Sequence, residues 1–276
     1  LGTMALAHNG NLTNAATIRK GLEDLGSLFQ TTIDTEVISH LIARSRADNF
    51  TDALIEAVKQ IRGAYSLVVL TGNTLYALRD PNGFRPLVMG KKEDGYVFAS
   101  ETCALDIIDA EYVRDVEPGE MVTVSPRGIT SVFPFGKSSQ NLCIFEYVYF
   151  ARPDSIIDNI SVYKARMRMG ETLAQKIIKE WGEDHGIDVV IPIPDTSRTS
   201  AMELAQHLGV KYREGFMKNR YIGRTFIMPG QQQRKKSVRQ KLSAVPFEFR
   251  NKNVLLVDDS IVRGTTCHEI IQMARD

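Results

Sequence analysis

Apolar residues in the first half of the chain follow two different spacings. Residues 14–26, 34–45 and 51–63 carry them three and four positions apart, which predicts three amphipathic helices. Short runs rich in valine, leucine and tyrosine follow, separated by glycine-containing turns, and these predict several strands. The opening segment LGTMALAH predicts a further strand. Helices gathered ahead of adjacent strands favour a layered α+β domain, which we assign to residues 1–138.

The pattern changes after the polar stretch GKSSQN at residues 136–141, which we interpret as a linker. From there on, helical spacing alternates with short, uninterrupted apolar runs. Two of these runs, VVIPIP and VLLV, contain no polar residue, as expected of parallel strands that are covered by helices on both faces. We therefore expect an α/β domain with a mostly parallel sheet at residues 139–276.

Two adjacent carboxylates, Asp258 and Asp259, end the last apolar run, and a loop of small and hydroxylated residues follows them. In open α/β sheets, ligands bind beyond the carboxyl ends of the strands, where the loop enters the next helix. Backbone N–H groups and hydroxyls at such a place suit a phosphate, whereas carboxylates suit sugar hydroxyls or a hard cation. A ribose with a phosphate at one end and a metal-bound pyrophosphate at the other would suit both the N–H and hydroxyl groups of the loop and the two carboxylates. The alternative is an exposed acidic pair before an ordinary capped turn.

Composition and charge argue against several other classes of protein. The formal net charge is +1, with 24% charged and 43% hydrophobic residues, so no overall field favours nucleic acid or an anionic membrane. The longest apolar stretches have only the length of a strand. The three cysteines are widely spaced, which argues against a disulfide framework and for a reducing, cytoplasmic setting. We expect neither a nucleic-acid nor a membrane partner.

Several longer segments resemble one enzyme family. VLLVDDSIVRGTT is similar to the phosphoribosylpyrophosphate (PRPP) motif of type I phosphoribosyltransferases. FEYVYFARPDS, PIPDTS and KNRYIGRTFIMPGQQQRKKSVRQKL together resemble the amidophosphoribosyltransferases, and ALAHNGNLTN and TTIDTEVI resemble the glutamine-hydrolysing domain of that family. The resemblance implies a type 2 glutamine amidotransferase domain with the layered αββα arrangement of N-terminal-nucleophile hydrolases, followed by a type I phosphoribosyltransferase domain.

The resemblance also implies a reaction: glutamine-dependent transfer of ammonia to C1 of PRPP. The products would be 5-phosphoribosylamine and pyrophosphate, in the first committed step of purine biosynthesis. Mg²⁺ is the implied cofactor, with Thr196, Asp258 and Asp259 at metal-ligand positions. The positions implied to bind PRPP are Asp195, Ser197, Ser260, Gly264, Thr265 and Thr266. Purine nucleotides as feedback inhibitors and a homotetramer are further implications.

Residues 218–242 are rich in lysine, arginine, glutamine and glycine. A basic run of this kind is most often a solvated surface, and a nucleic-acid patch is a second interpretation, which the balanced overall charge disfavours. The resemblance implies a lid that orders over PRPP, where cationic side chains would screen the phosphates and exclude water. Tyr221, Arg224 and Lys241 are the candidate contacts within this lid.

In the first domain, the resemblance implies that the Asn9 side chain and the Gly10 N–H group form an oxyanion hole, and that Asp34 binds the α-amino group of glutamine. Asn-Gly is also a typical type I′ turn, and Asp34 also suits a helix N-cap. The family's nucleophile is an N-terminal cysteine. Residue 1 is leucine here, and Cys103 lies at a predicted strand-to-helix junction. We therefore expect no glutamine hydrolysis by the sequence as it stands.

Some members of the family hold a [4Fe–4S] cluster through a cysteine near position 143 and others further along the chain. A single cysteine cannot hold a cluster, so this sequence does not support one, and we expect Cys143 to be a buried structural thiol. The chain opens inside a predicted strand, and its last residues, EIIQMARD, carry no helix stop signal. We interpret it as a fragment that lacks both ends.

Two other functions would share the PRPP-binding features. A phosphoribosyltransferase that joins PRPP to a base would not need the HNGN and TTIDTE segments. A non-enzymatic regulator that senses PRPP would be expected to carry a DNA-binding module, and the sequence shows no helix-turn-helix signature. We therefore favour the amidotransferase hypothesis.

Overall fold

The chain forms two compact units. A computed structural model describes residues 3–136, 138–219, 241–261 and 264–275. The first unit comprises Leu1–Glu146 and Asp154–Ile160, and the second comprises Tyr147–Pro153 and Ser161–Asp276. The sequence places everything from residue 139 in the second domain, whereas residues 139–146 and 154–160 pack with the first unit. No helix in these described ranges combines the length and the apolar character that crossing a membrane requires.

Two antiparallel sheets form the framework of the first unit in the part that the structure describes. Five strands form the larger sheet in the order β1-β2-β3-β7-β8, and three form the smaller sheet in the order β5-β4-β6. Their bounds are β1 Met4–Leu12, β2 Gly63–Thr71, β3 Thr74–Arg79, β4 Val88–Lys92, β5 Gly95–Ala99, β6 Glu111–Asp115, β7 Met121–Ser125 and β8 Gly128–Val132. The helices of this unit are α1 Ala15–Asp24, α2 Thr35–Arg44, α3 Phe50–Val58 and α4 Thr102–Ile107.

Successive side chains of β2 point to opposite faces of the larger sheet, and this alternation shows how the elements are layered. Leu67 and Val69 belong to the core that the larger sheet shares with α1, α2 and α3. Val68 faces the other way and packs in a second core between the two sheets. A third core joins the smaller sheet to Leu105 of α4. The order helix, sheet, sheet, helix confirms the predicted αββα arrangement.

Residues 154–160, which we call the strap, are fastened to the first unit by polar contacts. The Ser155 hydroxyl donates to Glu101 Oε2 over 2.7 Å. The Arg79 guanidinium donates to both carboxylate oxygens of Asp158, each over 2.9 Å. Arg79 is only 1% exposed, so Asp158 supplies the counter-charge of a buried cation. Along the sequence, a π-helical turn at Glu146–Phe150 precedes the strap, and two short strands, β9 Ile156–Ile157 and β10 Ile160–Ser161, lie within it or at its end.

The second unit is built on a parallel sheet in the order β12-β11-β15. Its elements are α5 Val162–Trp181, β11 Val189–Pro192, α6 Arg198–Leu208, β12 Lys211–Tyr212, β13 Phe216–Lys218, β14 Leu242–Ala244, α7 Pro246–Phe249, β15 Val254–Val257 and α8 Thr265–Arg275. Val190 of β11 packs with α5 and α6, and its neighbours Val189 and Ile191 pack with Ile270 of α8. Burial on both faces is what the uninterrupted apolar run predicted.

Helices α5 and α6 approach closely at Gly170. A Cβ atom at this position would lie 2.2 Å from the carbonyl oxygen of Ser200. The Ser200 hydroxyl donates to the carbonyl oxygen of Arg166 over 2.9 Å. Only glycine at residue 170 therefore allows the two helix backbones to meet. This contact fixes the position of α6 relative to α5.

Candidate functional site

The paired aspartates lie at the carboxyl edge of the parallel sheet. Pro192 of β11 pairs with Val257 of β15, so the loops that follow both strands start side by side. The Ile193 N–H group continues this pairing by donating to the Val257 carbonyl over 2.8 Å. Residues separated by more than sixty positions in the sequence are thereby brought to one edge, which is the place where doubly wound sheets bind ligands.

Two side chains meet across this edge. The Thr196 hydroxyl donates to Asp259 Oδ2. The Ser260 hydroxyl donates to Asp259 Oδ1 over 2.7 Å, and the Asp259 N–H group donates to Asp258 Oδ1 over 2.9 Å. The structure therefore assembles Thr196, Asp258, Asp259 and Ser260 into one oxygen-rich cluster. The assignment of the first three as metal ligands stays a prediction.

The charges in this cluster favour a bound cation. Partial withdrawal of its carboxyl group from water, together with the neighbouring Asp259 carboxylate, raises the pKa of Asp258 to about 6. A divalent cation would relieve this repulsion, and two carboxylates with a hydroxyl are the hard oxygen donors that Mg²⁺ takes. Among the described residues, no three His, Cys, Asp or Glu side chains converge on a metal position, so the predicted set depends on the threonine hydroxyl as its third donor.

Two predicted PRPP residues near β11 have internal partners. The Ser197 hydroxyl is buried and donates to the Ile193 carbonyl over 2.5 Å. Asp195 receives Lys218 Nζ at 2.6 Å and Arg198 Nη1 at 3.3 Å. The Ser197 hydroxyl is thus used inside the turn, and the Asp195 carboxylate is paired with two cationic side chains.

The loop after β15 ends in a glycine with a left-handed backbone. Gly264 has a φ of +71°, and its carbonyl oxygen accepts the His268 N–H group over 2.9 Å. The helix α8 begins at the next residue, so its first N–H groups face the end of this loop. Thr266 lies in the first turn of α8 and is half-buried. The Thr265 side chain lies outside the described part of the chain.

Strands β13 and β14 form the base of the predicted lid. Lys218 pairs with Leu242, and the Asn219 N–H group donates to the Lys241 carbonyl over 2.7 Å. Burial and the nearby Lys218 charge lower the pKa of Lys241. The other two lid candidates, Tyr221 and Arg224, lie outside the described residues.

The predicted oxyanion-hole residues lie inside strand β1. Asn9 pairs with Ser66 and Gly10 with Tyr65 in the continuous β1–β2 ladder, so the alternative of a type I′ turn at Asn9-Gly10 is wrong. Gly10 has a φ of +149°, and a Cβ atom there would lie 2.0 Å from the Ala64 carbonyl oxygen. The glycine is required because β2 passes too close for any side chain.

Asn9 is held by a network that the sequence did not reveal. Its Oδ1 accepts Arg85 Nη2 at 2.6 Å, and its Nδ2 donates to Ser100 Oγ over 2.9 Å. Arg85 Nη1 donates in turn to Glu146 Oε1 over 2.5 Å. Glu146 lies within the FEYVYF segment, on which the family resemblance partly rests. No spacing in the sequence connects Glu146 to the other residues of this network.

Asp34 occupies the N-cap position of α2 without capping it through its side chain. Its Oδ2 accepts the Leu12 N–H group at 2.9 Å instead, which fixes the carboxylate against β1. The His8 ring lies on the other side, with Nδ1 3.0 Å from Thr35 Oγ1 and 3.7 Å from Asp34 Oδ1. Burial lowers the pKa of His8, opposed by Asp34 and assisted by Arg85. A cavity of about 430 Å³ lies beside Asp34, where Thr32 and Arg19 also line it.

The cysteines differ in their surroundings. Cys103 is buried, with Sγ 3.9 Å from Glu101 Oε2. Cys143 is half-buried, so the expectation of a buried thiol at this position is wrong. Its carbonyl accepts the Glu146 N–H group over 3.1 Å, at the start of the π-helical turn.

Comparison with known proteins agrees with both halves of this description. Residues 1–106 match the model of a glutamine amidotransferase domain, and residues 157–275 match that of a phosphoribosyl transferase domain. The chain is 53% identical to the amidophosphoribosyltransferase of Pseudomonas aeruginosa and 52% identical to that of Escherichia coli, over 99% of its own length in each case. It spans 58% and 57% of the length of these two relatives.

A solved structure supports the same assignment. The glutamine PRPP amidotransferase of Bacillus subtilis, complexed with ADP and GMP, superposes with a TM-score of 0.87 and 46% identity. The match covers 99% of this chain and 59% of that one. The fold and the two sites therefore define a glutamine amidotransferase domain joined to a phosphoribosyl transferase domain. At this level of identity over nearly its whole length, the chain belongs to the amidophosphoribosyltransferase family. The boundary predicted at residue 138 stays a prediction, because the two domain models leave residues 107–156 unmatched.

Proposed function

We propose that the full-length protein transfers ammonia, released from glutamine, to C1 of PRPP, giving 5-phosphoribosylamine and pyrophosphate. This would be the first committed step of purine biosynthesis. The observation that carries the proposal is the hydrogen bond from Thr196 to Asp259, whose N–H group in turn donates to Asp258, beyond the ends of β11 and β15. Those two strands are far apart in the sequence, and their joint edge supplies hydroxyl, carboxylate and backbone N–H groups together.

Each part of this edge has a distinct task in the proposal. The loop that ends at Gly264 and the first turn of α8 would bind the terminal phosphate through backbone N–H groups. Carboxylate oxygens of Asp258 and Asp259 would accept hydrogen bonds from the ribose hydroxyls. Thr196, Asp258 and Asp259 would also hold Mg²⁺, which when bound stabilises negative charge on pyrophosphate. Positioning and charge stabilisation suffice for this displacement, so no covalent protein nucleophile is needed.

The first unit would serve the hydrolysis of glutamine. Asn9 Nδ2 and the Gly10 N–H group are the donors proposed for the developing oxyanion, a role for which each donor contributes typically about 2.7–4 kcal/mol. Asp34, fixed by the Leu12 N–H group, would bind the α-amino group of glutamine. The cysteine nucleophile is a property of the family, and we propose hydrolysis only for the full-length protein.

Three further proposals follow from family membership. Purine nucleotides would act as feedback inhibitors, which the ADP and GMP bound to the Bacillus subtilis protein support. Tyr221, Arg224 and Lys241 would contact PRPP from the lid, whose base is the β13–β14 hairpin. A homotetramer in the cytoplasm is proposed on the same grounds, without a [4Fe–4S] cluster assigned to Cys143.

The test replaces both carboxylates, Asp258→Asn with Asp259→Asn, in the full-length protein. With ammonia, Mg²⁺ and PRPP, we expect pyrophosphate release to fall by at least about 100-fold, because loss of charge stabilisation in a transition state, here at the leaving pyrophosphate, commonly has an effect of this size. The melting temperature should not fall, since the substitution removes a repelling pair. A matched control is Glu183→Gln with Asp184→Asn, an exposed acidic pair before the opposite end of β11, which should leave turnover unchanged.

The same assay separates the competing functions. Pyrophosphate release that depends on ammonia supports the amidotransferase, whereas release that depends on an added base supports another phosphoribosyltransferase. Saturable PRPP binding without any turnover supports a sensor. Undiminished turnover in the aspartate double variant would remove the metal and ribose roles assigned to Asp258 and Asp259.

A further inference from the structure

The side-chain amide of Asn9 is held at both ends. Arg85 Nη2 donates to one end over 2.6 Å, and the other end donates to Ser100 Oγ over 2.9 Å. A guanidinium has only donors, so the atom that Arg85 meets must be the carbonyl oxygen of the amide. The orientation of the Asn9 NH₂ group is therefore fixed by chemistry, with one N–H bond on Ser100 and the second free to point elsewhere.

Arg85 is itself held by a buried carboxylate. Its Nη1 donates to Glu146 Oε1 over 2.5 Å, and the Glu146 side chain is only 5% exposed. The planar guanidinium thus uses two different nitrogens for two partners, a geometry that lysine cannot reproduce. Glu146 is anchored through its own backbone, because its N–H group donates to the Cys143 carbonyl over 3.1 Å. The chain of contacts runs from Glu146 through Arg85 to Asn9.

This arrangement decides which end of the amide faces a reacting group. The terminal torsion of asparagine is broad and roughly two-fold, so an unrestrained amide exchanges its oxygen and nitrogen readily. A flipped Asn9 would present a carbonyl oxygen to a developing oxyanion and repel it. Arg85 opposes the flip, since rotation would bring two donors together at 2.6 Å. The Ser100 hydroxyl can accept or donate, so its contact at 2.9 Å holds the amide in place and Arg85 sets which end faces outward.

We infer that Arg85 and Ser100 are positioning residues that orient the Asn9 N–H group for the oxyanion of glutamine hydrolysis, with Glu146 holding Arg85 in place. The inference rests on the glutaminase role proposed above for Asn9. It goes further in assigning a function to three residues that act through their contacts to Asn9 and Arg85. Their effect should appear in the transition state and not in the binding of the substrate.

The test measures glutamine hydrolysis by the full-length protein carrying Arg85→Met. We expect kcat to fall by about 10- to 100-fold, somewhat less than for complete loss of an oxyanion donor, while KM for glutamine changes by less than about 3-fold. Glutamate γ-semialdehyde, an aldehyde that forms a tetrahedral adduct, should bind more weakly by the same factor as kcat falls. Affinity for glutamate, the product, should be retained.

Two milder variants separate a loss of positioning from misfolding of Arg85→Met. Arg85→Lys keeps the charge but offers one donor position instead of two, so kcat should lie between those of the wild type and Arg85→Met. Ser100→Ala removes the other contact and should lower kcat without changing KM. In every variant, ammonia-dependent pyrophosphate release should stay within about 2-fold of wild type, which reports that the second unit is intact.

Arg114→Met provides the matched control. Like Arg85, Arg114 pairs with a buried glutamate, Glu120, but it does so through two nitrogens, at 2.6 and 2.7 Å, and it has no hydrogen bond to Asn9. It should leave kcat for glutamine unchanged. Equal loss of kcat in Arg85→Met and Arg114→Met, or a rise in KM that accounts for the whole loss, would overturn the positioning role, as would an unchanged kcat in Arg85→Met.

The two proposals fail in distinguishable ways. If the wild-type full-length protein uses ammonia but does not hydrolyse glutamine, the glutaminase function itself is wrong. If the wild type hydrolyses glutamine and Asn9→Ala abolishes this, yet Arg85→Met and Ser100→Ala are both fully active, only the positioning inference is wrong.

Discussion

Replacing Gly170 with alanine tests the packing that supports the proposed PRPP site. The added Cβ atom would lie 2.2 Å from the Ser200 carbonyl oxygen and 3.0 Å from Glu203 Cβ. Since carbon and oxygen normally stay about 3.3 Å or more apart, α6 would have to move away from α5 by about 1 Å. Such overpacking costs roughly 1–3 kcal/mol.

Two further contributions, of opposite sign, change the free energy of unfolding of Gly170→Ala. Separation of the helices would weaken the hydrogen bond from Ser200 Oγ to the Arg166 carbonyl, at a cost of about 1 kcal/mol. Alanine gains back about 1 kcal/mol, because its helix propensity exceeds that of glycine. The sum predicts a loss of about 1–3 kcal/mol in the free energy of unfolding of the second unit.

The assay follows hydrogen exchange of the α5 and α6 amides across a urea series, read by mass spectrometry. With an m-value of about 1–3 kcal/mol/M, the midpoint should fall by roughly 1 M. Because α6 begins directly after Ser197, its displacement should also move Thr196. We expect ammonia-dependent turnover to fall by about 10-fold or more.

The control makes the same chemical change where there is space. Gly21 lies in α1, and nothing lies within 4 Å of the Cβ atom that alanine would add. Gly21→Ala should therefore stabilise the first unit by roughly 0.5–1 kcal/mol. An unchanged or raised urea midpoint for Gly170→Ala would show that the helices do not meet as closely as described.

Two predictions concern the first unit. Asp158→Asn should lower the stability of this unit by about 3–5 kcal/mol, because the buried Arg79 would lose the carboxylate to which it hydrogen-bonds. Hydrogen exchange across β3 measures this loss, and a value below about 1 kcal/mol would contradict the reasoning. Hydrogen bonds from the Gln30 N–H group and from Thr31 lower the pKa of Glu36 from 4.5 to about 2. A lowered folded-state pKa stabilises the folded state above the unfolded pKa, and this gain is lost as the pH falls towards 2. Thermal melting at several pH values should therefore show Glu36→Gln less stable than wild type at pH 6 and equal to it near pH 2.

The sequence could predict which residues meet at the edge of the parallel sheet because a simple rule connects them. Two apolar runs without polar residues predict parallel strands, and parallel strands bring their carboxyl ends together. The meeting of Thr196 with Asp259 across 63 positions follows from that rule. The αββα layers could be expected only from the family resemblance, since alternation in single strands does not say which sheets face each other.

Other features could not be read from local sequence. Asn9-Gly10 has the composition of a turn, but nine consecutive pairings with β2 keep it in a strand. The Arg85 contacts to Asn9 and Glu146 span 76 and 61 positions. Neither arginine nor glutamate at these places interrupts a periodic pattern, so no signal distinguishes them from ordinary surface charges.

The strap also bears on how such chains can be rearranged in evolution. A recombination crossover in the polar stretch at residues 136–141 would transmit a glutaminase module without residues 154–160. The guanidinium of Arg79 would then lie in the interior without Asp158, and the transplanted module would be poorly stable. Fusion to a new acceptor domain would succeed only if the donor segment reached residue 160, or if the recipient supplied an equivalent carboxylate. The heritable module is therefore longer than the stretch of chain that performs its chemistry.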